Sequence, residues 1–117
     1  MLFNSSDFKA REIGAYILCP DGSVRLAESR EEWTAQYETH SNTRIVAQDD
    51  IRENTFVSTV FLGIDHSFNG GEPVLFETMV RINGEWSDAL IQRYTTIADA
   101  RAGHERIVAL LMNPDTA

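Results

Sequence analysis

The 117-residue sequence predicts an α+β fold: an antiparallel β-sheet of about five to six strands, in meander or Greek-key-like order, with two packed helices. Three observations lead there. Two long runs dense in β-branched and aromatic residues, 56–64 and 74–82, read as strands. The second is followed by Asn83-Gly84, a type I′ hairpin signal. Two further segments, 30–40 and 97–112, open on residues suited to capping a helix and place their apolar residues at helical spacing. The length suits one domain that buries a core and has no room for a second. Residues 1–12 read as a flexible N-terminal arm, 13–113 as the domain and 114–117 as a C-terminal tail.

In chain order, residues 14–19 form a short apolar run closed by Pro20-Asp21-Gly22, a tight turn, and Val24-Arg25-Leu26 alternates as the returning strand of a small hairpin. Ser29 with Glu32 three residues on is a capping box for the first helix, 30–40, whose buried stripe is expected to be Trp33 and Tyr37. Residues 44–47 read as strand, and Asp49-Asp50 with Glu53-Asn54 as a solvated connection. The run 56–64 then reads as a mid-sheet strand covered on both faces. Residues 65–72 form a polar loop, Pro73 opens the strand 74–82, and 85–94 is its return, interrupted around Ser87-Asp88. Thr96 caps the second helix, with Asp99 in its first turn and Pro114 past its end. Ile97, Ala100, His104, Ile107, Val108 and Leu111 fall on its packing stripe, so His104 reads as a hydrogen-bonded core residue.

Ten basic against eighteen acidic residues leave a net charge of -8, which opposes nonspecific binding to a nucleic acid polymer. Lys9 is the only lysine, so the positive charge is almost all guanidinium, the group that grips a phosphate or carboxylate with two bonds. GC-rich coding gives the same bias without chemistry. Cys19 stands alone, which rules out an internal disulfide and fits a reducing cytoplasm. No run is long and apolar enough for a membrane span, and the start lacks the order of a signal peptide. Neither membrane binding nor a cofactor is expected.

Candidate chemistry concentrates in the loop that begins Asp65-His66-Ser67-Phe68. Neighbours on extended chain point to opposite faces, so Asp65 and His66 are not expected to share a metal ion. Glu77 falls on the same strand face as Leu75 and Met79, where a carboxylate needs a partner, and Arg93 or Arg44 is placed to supply one. A Ser58, His66 and Asp65 triad is conceivable by residue type, but no spacing brings the three together.

The stretches VSTVFLGIDHSF at 57–68, LFETMV at 75–80, RYTT at 93–96 and AGH at 102–104 resemble a family of small phage and prophage proteins, and TRIVA at 43–47 fits the same pattern. The resemblance spans residues 14–108 and is strongest to the Thoeris anti-defence sponges, which sequester cyclic ADP-ribose signals. It implies a cytoplasmic, non-enzymatic homo-oligomer that traps such a signal in an infected host; some members also bind cyclic oligonucleotides. It assigns ligand contacts to Arg44, Phe68 and Arg93, and His66 and Glu77 complete the expected site. The loop departs from the family's Gly-Pro-Pro pattern at Gly71-Glu72-Pro73. Two competing readings are a nucleotide-signal hydrolase using His66 with Glu77 or Asp65, and an acidic protein that inhibits a host defence protein by direct binding.

Overall fold

The computed structural model describes residues 8–38, 42–67 and 70–113. Among these residues it is an α+β fold of seven strands in two antiparallel sheets, with three α-helices. A one-turn helix α1 (Ala10–Ile13) comes first, where the sequence suggests only an irregular arm, and ends on Gly14 at φ 78°. The strands β1 (Tyr16–Leu18) and β2 (Val24–Leu26) then pair as the small hairpin. In its turn, the Asp21 carboxylate accepts from the Ser23 backbone N–H at 2.9 Å and the Ser23 hydroxyl at 2.6 Å.

Helix α2 (Arg30–Glu38) starts as expected, with the Ser29 hydroxyl accepting from the Glu32 N–H at 3.0 Å. The reciprocal half of the capping box does not form. Glu32 turns back to the Glu28 N–H and to Arg25, which ties the hairpin to the helix. The expected buried stripe is corrected too, because α2 buries no residue fully. Trp33 is half-buried, and Tyr37 is exposed and stacked on it at 4.9 Å between centroids. What holds α2 down is polar. The Trp33 indole donates to the Gly63 carbonyl at 3.0 Å, and the Gln36 amide bonds both backbone groups of Leu18 at 2.9 Å.

The large sheet runs β3 (Ile45–Arg52), β4 (Thr55–Phe61), β5 (Phe76–Ile82), β6 (Glu85–Trp86), with β7 (Gln92–Tyr94) pairing β5 beside β6. Asp49 and Asp50 are part of β3 rather than of a connection; they are tolerated because β3 is an edge strand whose side chains reach water. The reversal comes at Glu53-Asn54, where Asn54 takes φ 71°. Strand β4 is central, but only one of its faces is covered by a helix. The interrupted return is β6, a 3-10 turn at Asp88–Leu90, and β7.

Helix α3 (Ile97–Met112) has the expected bounds, and the Thr96 hydroxyl accepts from the Asp99 N–H at 3.1 Å. It lies on the face carrying Val57, Thr59, Phe61, Phe76, Thr78 and Val80, and buries Ala100, Gly103, His104 and Ile107. Phe61 and Phe76 pack at 5.5 Å in the main cluster, with Leu75, Tyr94 and Ala100. The opposite sheet face, left open by the described helices, presents half-buried Phe56, Val60 and Met79 with exposed Trp86. No helix among the described residues is long and apolar enough to cross a membrane.

Candidate functional site

Asp65 is the organiser of its loop. One of its oxygens accepts from the Ser67 N–H at 2.8 Å and the Val74 N–H at 2.9 Å, and the other from the Ser67 hydroxyl at 3.0 Å. Partial burial works to raise its pKa, but these donors and the nearby His66 outweigh it and hold the carboxyl below its usual range. His66 faces elsewhere: its Nδ1 meets the Ile64 carbonyl at 2.8 Å, and its backbone N–H bonds Val74. Phe68 lies outside the described residues.

Glu77 is 8% exposed and finds the partner that its strand position demands. Its Oε2 accepts from Arg93 Nε at 2.8 Å across the β5–β7 register pair Glu77↔Arg93. Arg93 stays 42% exposed at its side chain, and among the described residues its terminal nitrogens make no further hydrogen bond. Arg44 is at the other edge of the sheet. It donates from Nε to the Phe61 carbonyl at 3.1 Å and from a terminal nitrogen to the Tyr37 carbonyl at 3.0 Å, and lies 4.4 Å from the Tyr37 ring centroid. Of the expected site residues, the fold therefore joins Glu77 to Arg93 and sets Arg44 apart as a tie between α2 and the sheet.

The conceivable Ser58 triad does not assemble, since Ser58 accepts from Gln48 Nε2 at 3.1 Å while Asp65 and His66 serve the loop. A different hydroxyl, imidazole and carboxylate do line up. Thr59 Oγ1 meets His104 Nδ1 at 2.7 Å, and His104 Nε2 meets Asp49 Oδ2 at 2.7 Å. Thr59 is 0% exposed, so no substrate reaches its hydroxyl and the set is structural. The row continues inward, because Thr59 also bonds Thr78 and the Tyr94 hydroxyl donates to Thr78 at 3.1 Å. Among the described residues no buried side-chain polar atom lacks a partner.

Two clefts of ligand size flank this framework. One, of about 460 Å3, lies between β7 and α3, where Arg93 and Arg106 meet Val74, Thr95 and Asp99. The other, of about 470 Å3, lies between the β1–β2 hairpin, the start of β3 and the first turns of α3. Arg106 and Arg101, which border them, have no hydrogen-bond or ion-pair partner among the described residues. Sequence reasoning missed both arginines. Their only local signal was position, Arg101 and Arg106 falling off the packing stripe of the second helix. No family model matches the chain, and no curated protein or solved structure does.

Proposed function

We propose that this chain is a non-catalytic sponge that binds a cyclic ADP-ribose-type signal in the groove between β7 and α3, acting in the cytoplasm of an infected cell. The observation that carries the reading is the Glu77–Arg93 pair. A largely buried carboxylate holds Arg93 by Nε on the sheet face away from α3, at the β7 edge of a groove that Arg106 also borders. Two guanidinium forks suit a diphosphate. The strand and loop motifs resembling the Thoeris sponges support the same class of ligand, and Phe68 is the stacking residue which that resemblance assigns.

Sequestration asks for a dissociation constant on the order of nanomolar, or roughly -12 kcal/mol. A ligand of roughly 35 heavy atoms at about -0.3 kcal/mol each supplies around -10 from an ordinary site. The remainder is assigned to Glu77 preorganising Arg93 and to enclosure by a second subunit. The open sheet face suits a homo-oligomer: Asp50, Glu77, Arg81 and Arg93 cancel in charge there, within a chain of net charge -8. Sedimentation should report a mass above one chain, reduced by Trp86→Asp.

The test is calorimetric titration with cyclic ADP-ribose isomers and cyclic oligonucleotides, followed by heat denaturation and chromatography of the released ligand. The expected result is tight binding and intact release, weakened at least about tenfold by Arg93→Gln or Arg106→Gln. Failure to bind any member of the panel overturns the reading. Release of a hydrolysed product replaces it with the hydrolase.

A further inference from the structure

The second cleft is chemically unlike the first. Its walls are Ile17, Leu18, Pro20, Ile45, Val46 and Ile97, an apolar set drawn from the small hairpin, β3 and α3. The polar groups on its border are mostly committed. Both terminal nitrogens of Arg25 go to the Glu32 carboxylate, at 2.9 and 2.5 Å, and one also reaches the Leu26 carbonyl. The Gln36 amide is used at both ends by the Leu18 backbone. Among the described residues, Arg101 is the cation on this cleft without a hydrogen-bond or ion-pair partner.

We infer that this cleft is a second binding site, for a monoanion with a compact apolar body such as a medium-chain or aryl carboxylate. One planar fork matches one carboxylate through two parallel hydrogen bonds. A diphosphate would bring more negative charge than a single uncommitted guanidinium meets, so the nucleotide-type ligand of the β7–α3 groove is excluded here. Arg101 is exposed, which makes its ion pair a modest contribution. Burial of the apolar body against the six wall residues supplies most of the affinity. At about 470 Å3 the space lies in the usual range for small-molecule sites.

The sequence contains a reporter for this site, since its single cysteine, Cys19, is half-buried on the cleft wall. The rate of Cys19 alkylation by iodoacetamide, taken as a ratio with and without ligand, should fall as decanoate is added. Decanol, with the same body and no charge, should protect only at higher concentration. Arg101→Gln should raise the decanoate concentration needed for half-protection about two- to fivefold. Arg106→Gln, about one and a half turns away on the same helix, should leave it unchanged while weakening nucleotide binding in the other groove. The inference is overturned if decanoate fails to protect up to its solubility, if decanol protects equally, or if Arg101→Gln and Arg106→Gln act alike. None of these outcomes bears on the nucleotide titration.

Discussion

At the scale of single residues, the most informative group is Asp65, which holds a loop closed by accepting three hydrogen bonds with one carboxylate. Its folded pKa lies below the unfolded value. The stability it contributes is therefore present above the unfolded carboxyl range and is lost as pH falls through the lowered folded value. Asp65→Asn should cost about 1–3 kcal/mol at neutral pH. Urea denaturation at a series of pH values should show that gap narrowing below about pH 4. A gap independent of pH would mean that the charge of Asp65 contributes nothing. Thr59→Val tests the buried row differently. It keeps the shape and removes the hydroxyl between Thr78 and His104, and should cost about 1–3 kcal/mol by the same measurement.

At the scale of elements, the two long helices are held in different ways. Helix α3 is anchored by fully buried side chains, whereas α2 has none and relies on Trp33 and Gln36 reaching the backbone of other elements. Amide exchange should therefore be faster in α2 than in α3 under native conditions. Gln36→Ala should destabilise more than Glu32→Gln. The first removes two bonds to the Leu18 backbone; the second breaks a surface ion pair worth at most about 1 kcal/mol, although Arg25 and the Glu28 N–H hold Glu32 down to a pKa of about 2. Packing is tight where α3 passes β7. A Cβ on Gly103 would lie 2.3 Å from the Tyr94 ring, so Gly103→Ala must displace the helix or the tyrosine. Thermal melts should register a loss of about 1–3 kcal/mol or more.

For the whole molecule, what was legible in the sequence was local. The Thr96 cap, the Asn83-Gly84 turn and the interruption at Ser87-Asp88 are written in neighbouring residues, and each appears where it was expected. The extent of β3 was not legible, because Asp49-Asp50 has the polarity of a turn and only pairing with β4 makes it strand. The site was less legible still. Residue type marked Arg44 and Arg93 equally, and the fold spends one on backbone carbonyls while pairing the other with a buried carboxylate. Arg101 acquires meaning only because the hairpin, far away in sequence, forms the other wall of its cleft.

The buried polar row has a further consequence, because Asp49 is on β3, His104 on α3, Thr59 on β4, Thr78 on β5 and Tyr94 on β7. It is a crossbar that spans the sheet from one edge to the other. With the ring donating from Nε2 to Asp49 and accepting at Nδ1, the Thr78 and Thr59 hydroxyls each take once and give once, in one direction starting from the donating Tyr94 hydroxyl. Tyr94 also lines the groove proposed for the nucleotide, so the row links a carboxylate at the far edge of the sheet to a residue of that groove. A change confined to Asp49 should be felt across the full width of the sheet, at a residue it never touches.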